Sequence, residues 1–356
     1  RITAQLLLNR GVTSGKQARS FFDPTFECFE NPLHFPDMEK AVARLRLAIK
    51  KREPILVFGA SDGDGLTSST ILYEVLESLG ALVRARLSNR IADGYGLSAS
   101  AVTEAGKTGV KLVVLVDCGT NQPDEIKTLK RLGIDTIIVD HHVVTLGAPD
   151  AVALVNPHRI KDGPGRELCS AGLAFKVAQA LLEKNSRDLM AYLDLAALGT
   201  LADYVPLVKD SRILVQHGLP RIISTLRPGL AGLCAATRTH RPQPEQVIRR
   251  LVPRINAFGR LGDPTTAWHL LRERDDVRVE EWLAEAESAH GTTKQLQRRI
   301  ISEAEQQISR MHFKDQFVLV VSRNNWHQGL MGPLASQLSA RYGRPAIAVA
   351  LNGTQG

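Results

Sequence analysis

The chain has 356 residues, 44% hydrophobic and 23% charged, with a formal net charge of +8. Those proportions exclude disorder over most of the length, and no run of about 18 apolar residues exists to form a membrane-spanning helix. The length predicts two domains or three, and the basic balance (pI about 9.4) favours a polyanionic partner, nucleic acid above all.

Residues 1–40 carry Pro24, Pro32 and Pro36 and are expected to form a helical cap segment. Five short apolar runs follow: Pro54–Gly59, Ala81–Leu87, Lys111–Asp117, Asp135–Asp140 and Ala151–Asn156. Segments with helical spacing lie between them, such as Ser68–Leu79 and Asp124–Leu132. Near-continuous apolar strands alternating with helices predict a parallel sheet covered on both faces, a doubly wound α/β domain. Ala171–Glu183 and Asp188–Leu201 have helical spacing, with Pro206 ending the second. Residues 220–275 are Arg-rich and proline-interrupted, and irregular structure is expected there. Val279 to Met311 runs without proline and with apolar residues at helical spacing. Such a helix would span roughly 50 Å and connect two units. Gln316–Val321 and Ala346–Leu351 are strand-like again, so a second α/β domain is expected to begin there and to be truncated at Gly356. The expected division is a cap at 1–40, a main domain at 41–275, the long helix at 276–312 and the start of the second domain at 313–356.

Cys28, Cys118, Cys169 and Cys234 show no CxxC spacing, which argues against a disulfide scaffold or structural zinc and favours a reducing cytoplasm. The chain starts at Arg1 without a signal-peptide pattern, as an internal stretch of a longer protein would.

Acidic residues and histidines gather at the ends of the expected strands. The first runs into Ser61-Asp62-Gly63-Asp64-Gly65, the third ends in Asp117-Cys118-Gly119, and the fourth ends in Asp140-His141-His142. In a parallel sheet these tips lie side by side at the crevice where ligands bind. A fourth element, Gly199–Asp203, adds a carboxylate at the end of an apolar helix. Carboxylates so crowded repel one another unless a cation lies between them. Oxygen donors with one imidazole suit Mn²⁺ or Mg²⁺, and such a set can hold two ions about 3.5–4 Å apart. A single Asp after a strand often serves as a helix cap or turn residue, so the weight rests on four segments converging. Asp140 is expected to orient a histidine rather than to bind metal itself.

Asp140-His141-His142 resembles the signature of the DHH phosphoesterases. Within that superfamily the chain is similar to the RecJ family of single-strand-specific 5′→3′ DNA exonucleases. The similarity is carried by Asn89-Arg90, Gly94-Tyr95-Gly96-Leu97, Ala196–Pro206, Arg212-Ile213-Leu214, Pro253–Asp263, Trp326-His327-Gln328-Gly329 and Arg344-Pro345-Ala346. It implies that Asp62, Asp64, Asp117, His141 and Asp203 are metal ligands. It also implies that His142 contacts the scissile phosphate, with Asp117 and Asp140 completing the catalytic group. Arg90 and Arg260 are implied to grip phosphates near the 5′ end, with Asn256 supporting the Arg260 loop. His327 is either a further substrate contact or a packing residue of the second domain.

The implied activity is metal-dependent hydrolysis of single-stranded DNA to 5′-mononucleotides in repair and recombination. The implied protein is a cytoplasmic monomer working beside a single-strand-binding protein and a helicase. Two other readings stay open: a phosphoesterase of short oligonucleotides or cyclic dinucleotides, and a degenerate non-catalytic DNA-binding subunit. One departure bears on this. Where the family pattern carries a carboxylate in the first motif, this chain has Ala60. Whether divergence or an introduced change, it is expected to weaken one of two ions and impair hydrolysis. The family's glycine-rich stretch and OB-fold are expected beyond Gly356.

Overall fold

A computed structural model describes residues 1–182, 186–311 and 317–353. The expected element ends at Glu183, His312, Gln316 and Gly356 lie outside the described residues.

The five apolar runs form strands β1 (Ile55–Gly59), β2 (Val83–Leu87), β3 (Leu112–Val116), β4 (Asp135–Val139) and β5 (Ala153–Val155). They pair in parallel in the order β2-β1-β3-β4-β5. The strand order reverses between β1 and β3, and a crevice opens at that switch point beyond the carboxyl ends of the strands. β1 and β3 are buried along their whole length because helices cover both faces. Ile55 and Val57 pack with the helices Met38–Lys51, Gly63–Ser78 and Ser170–Leu182. Their neighbours Leu56 and Phe58 pack on the opposite face with Ala99–Lys107 and Pro123–Arg131. That alternation is the two-residue side-chain period of a strand.

Two expectations are corrected. Residues 220–275 are largely helical, in Lys209–Ile223, Pro228–Ala236, Val252–Leu261 and Thr265–Arg272, with a π-helical turn at Val247–Leu251. Pro228 and Pro253 occupy first-turn positions, where the missing N–H costs nothing and the fixed φ suits a helix. Asp188–Leu201 is two helices, Ser186–Met190 and Leu193–Ala202, rather than one.

The long helix runs Asp276–Ile308, 33 residues, started by Asp275, whose side chain accepts from the Val277 and Arg278 amides. Val279 and Ala286 join the main core, whereas Ile300, Ala304 and Ile308 join a separate one. That second core contains Leu319, Val321, Trp326, Leu330, Leu334 and Leu338. It lies against the parallel pair β6 (Leu319–Asn324) and β7 (Ala346–Leu351), joined through the helix Met331–Tyr342. Among the described residues no helix is long and apolar enough to cross a membrane.

Candidate metal centre and active site

β1 ends at Gly59, and Asp62 caps the helix Gly63–Ser78 by accepting from the Gly65 amide at 3.2 Å. Asp64 therefore falls in the first helical turn, and it is only 2% exposed. Its two oxygens accept from the Ala171 and Ser170 amides at 2.7 and 2.8 Å. Those amides open the helix Ser170–Leu182, so a helix N-terminus faces the carboxylate. Asp117 follows β3 with φ of 60°, a left-handed conformation that Asp tolerates better than most residues. Its Oδ1 accepts from the Ser170 hydroxyl at 2.9 Å.

After β4, Asp140 is 1% exposed and gathers four donors. Oδ2 accepts from the Thr120 amide at 3.1 Å. Oδ1 takes the His141 amide at 2.8 Å, the His142 amide at 3.2 Å and His142 Nδ1 at 2.7 Å. Asp203 ends the helix Leu193–Ala202 and turns back toward the same point.

These segments meet at His141. Its Nε2 lies 3.5 Å from Asp117 Oδ1, 3.5 Å from Asp203 Oδ2 and 3.8 Å from Asp64 Oδ2. The nitrogen is buried and has no hydrogen-bond partner among the described residues. A buried imidazole nitrogen left unpaired amid three carboxylates is the arrangement a cation completes. Ligand atoms of Asp64, His141 and Asp203 lie within 4.8 Å of one another, as do those of Asp117, His141 and His142.

Burial, then repulsion from Asp117, pushes Asp64 well above the usual carboxylate range. Burial, then the charges of Asp62 and Asp140, does the same to Asp117. Asp203 is raised by burial, against the pull of His141. Asp140 behaves oppositely: burial works to raise it, but its bonds from His142 and Thr120 outweigh that and hold it at about 2. The Asp140 bond raises His142 to about 9. The neighbouring thiols of Cys118 and Cys169 are pushed up by burial and stay protonated, so the donor set is oxygen and imidazole. That set fits Mn²⁺ or Mg²⁺.

The other expected site residues have definite places. Asp62 is outside both ligand groups. It is 43% exposed, with Arg90 Nη2 at 3.5 Å. Arg90 also lies over the Tyr95 ring at 4.5 Å. Arg260 is half-buried, and burial followed by the charge of Arg90 lowers its pKa. Asn256 Oδ1 accepts from the Gly63 amide at 2.7 Å, so it braces the start of the Asp64 helix. His327 is half-buried beside the second core, and its Nδ1 has no hydrogen-bond partner among the described residues. A cleft of about 390 Å³ opens beside the cluster, lined by Ala60, Asp62, Arg90, Tyr95, Asp117 and His142 among others.

Two residues went unread in the sequence. Ser170 bonds both Asp64 and Asp117. Asn156 donates to the Thr120 hydroxyl and the His142 carbonyl, both at 2.9 Å, and so fixes the loop that carries the two histidines. A serine at a helix start is a visible capping signal, but not which distant carboxylate it serves.

A parallel sheet whose tips deliver this carboxylate–imidazole cluster defines a DHH-type protein, and the DHH family N-terminal domain matches residues 54–200. The chain is 34% identical to the single-stranded-DNA-specific exonuclease RecJ of Bacillus subtilis, over all of this chain and 45% of that one. It is also 34% identical to RecJ of Escherichia coli, over 89% of this chain and 58% of the relative. A crystal structure of exonuclease RecJ bound to manganese superposes with a TM-score of 0.80 at 30% identity, covering 89% of this chain and 80% of that one. RecJ of Thermus thermophilus in complex with Mn²⁺ gives 0.83 at 28% identity, over 97% of this chain and 49% of that one. The chain belongs to the RecJ family. It spans about half the length of the curated relatives it matches.

Proposed function

We propose that this chain is the catalytic core of a divalent-metal-dependent exonuclease. It degrades single-stranded DNA from the 5′ end to 5′-mononucleotides, in the cytoplasm, in repair and recombination. The unpaired His141 Nε2 between Asp64, Asp117 and Asp203 carries this reading. It is supported by similarity to single-stranded-DNA-specific exonucleases and by the likeness to a crystal structure of exonuclease RecJ bound to manganese. The division of labour follows the expected domains: 41–275 holds the chemistry, the helix of 276–312 connects, and 313–356 begins the second domain.

Asp64, Asp117, His141 and Asp203 would hold the metal, with Asp62 at the edge of the set. Bound divalent ions supply Lewis acidity and lower the pKa of water. The protein's own groups do the rest. Asp140 keeps His142 oriented and protonated, with Nδ1 engaged and Nε2 left to meet a phosphate oxygen. Arg90 and Arg260 offer guanidinium forks to phosphates entering the cleft from the 5′ side. The enzyme needs unpaired strands, which is the reason to propose a helicase and a single-strand-binding protein as partners of a monomer.

Ala60 lines this cleft where the family pattern carries a carboxylate, and the chain is proposed to be impaired by it. The test is hydrolysis of 5′- and 3′-labelled single strands with Mn²⁺, by this chain and by Ala60→Asp. Restoring the carboxylate should raise the rate roughly 10–100-fold, the range that groups around a metal site command. Label lost first from the 3′ end would overturn the polarity. Strand binding in chelator, with both proteins inert in Mn²⁺, would make the chain a binding subunit instead.

A further inference from the structure

The two arginines proposed to hold phosphates come from segments far apart in sequence, and both segments touch one turn of the second unit. Gln328 Nε2 donates to the Ile91 carbonyl at 3.2 Å, one residue beyond Arg90. Gly329, in the same 3₁₀ turn, lies so close to Arg260 that a methyl group on it would overlap the Arg260 carbonyl oxygen. The preceding residue, Gly259, packs just as tightly on the Ser61 carbonyl of the first motif. The turn itself is anchored. Trp326 is 5% exposed and its Nε1 donates to Glu303 Oε2 of the long helix at 2.7 Å, while Leu330 is buried in the second core.

We infer that the turn Trp326–Leu330 is a positioning peg: Gln328 and Gly329 set the separation of Arg90 and Arg260, and through it the grip on the 5′ phosphate. The inference rests on the proposed role of those two arginines. Charged neighbours explain why a peg is needed. Burial and the charge of Arg90 both disfavour the Arg260 guanidinium, and Asp62, 3.5 Å from Arg90, opposes them only in part, so the two guanidiniums repel. Backbone contact at Gly329 and the bond to Ile91 hold both segments in place before the anion arrives, which lowers the ordering cost of binding. Gln328 touches no ligand of the metal cluster, so its effect falls on strand affinity and not on metal affinity.

The test measures anisotropy of a labelled oligothymidylate, with and without a 5′ phosphate, in Ca²⁺, together with the Mn²⁺-induced shift of Tm. Gln328 is exposed, so its replacement leaves the fold intact. Gln328→Ala and Gln328→Glu each remove the donor and should weaken binding of the 5′-phosphorylated strand roughly threefold to tenfold, the worth of one hydrogen bond. Gln328→Lys retains a donor and should keep most of the affinity. Gly329→Ala should lose at least as much as Gln328→Ala. In the Gln328 variants, binding of the 5′-hydroxyl strand and the Mn²⁺ shift should change less than twofold, within the scatter of surface substitutions. If Arg260→Ala weakens the phosphorylated strand but Gln328→Ala and Gln328→Glu bind like the parent, the peg is refuted. If Arg90→Ala and Arg260→Ala also bind like the parent, the phosphate role falls and the peg with it. An equal loss on both strands, or a collapsed Mn²⁺ shift in the Gln328 variants, would reduce the turn to general scaffolding and overturn the inference.

Discussion

His142 Nδ1 and Asp140 Oδ1 lie 2.7 Å apart, and this pair links the chemistry to stability. Asp140, held at about 2, is lower in the fold than the ordinary 3.8. Its contribution is present above pH 3.8 and is lost as pH falls through about 2. His142, raised from 6.5 to about 9, contributes fully below pH 6.5 and loses that contribution as pH rises through about 9. The Tm difference between the parent and His142→Gln should therefore be largest between pH 4 and pH 6.5 and shrink by pH 9. A difference that is flat or grows with pH would show that the pair does not titrate as an ion pair.

Mn²⁺ should stabilise the fold, and more so at alkaline pH. Asp64 and Asp117 have folded pKa values above the ordinary 3.8. A carboxyl raised on folding leaves stability untouched below 3.8 and costs progressively more as pH rises to its folded value. A bound cation offsets that cost and competes with the protons. The gain should reach roughly 2.7 kcal/mol at a hundredfold excess over Kd. Scanning calorimetry with and without Mn²⁺ at pH 5 and pH 8 checks both size and direction. His141→Ala should abolish the shift at either pH.

Ser170→Ala should separate metal affinity from folding. The hydroxyl supports Asp117 from outside the ligand group, while its amide bond to Asp64 survives the substitution. Losing such an outer partner typically costs 10–100-fold in metal affinity, against about 1 kcal/mol of fold stability. Calorimetric titration with Mn²⁺ and urea unfolding of the metal-free protein measure the two quantities. Unchanged affinity would mean that Asp117 is held by its backbone alone.

The five strands were legible because each is a short apolar run, and strands buried on both faces need little else. Asp64, Asp117 and His141 were legible as candidates for a related reason: residues that follow parallel strands share one edge of the sheet, whereas Asp203 stood out only as an acidic residue ending an apolar helix. Ser170 was not, since its partners are 53 and 106 residues away and only the tertiary fold brings them together. The helices across 220–275 were hidden by their prolines: Pro228 and Pro253 fall in first turns, which proline favours, and Pro220 lies near the end of Lys209–Ile223, a helix that continues past it. Asp62 illustrates a different limit. Two acidic residues one apart look equivalent in DGDG, yet the helix start turns Asp64 inward and leaves Asp62 as the cap, near Arg90.

The same fold holds its N-terminal cap through a buried ion pair. The side chain of Lys176 is fully buried, with Nζ 2.7 Å from Asp210 Oδ2 and 2.7 Å from the Glu30 carbonyl, over the Phe29 ring at 4.3 Å. Burial lowers the lysine pKa, and Asp210 opposes that loss. Lys176→Met would leave Asp210 buried with one amide donor, that of Glu30, in place of a full charge partner. Such a change should cost about 3–5 kcal/mol, whereas Lys176→Met with Asp210→Leu should recover most of it because no charge is then stranded. Guanidinium unfolding of the two variants decides this, and limited proteolysis should cut within residues 23–35 in the single variant first. If the single and double variants lost equal stability, the cap would be held by Phe29 and Phe35 packing rather than by the pair.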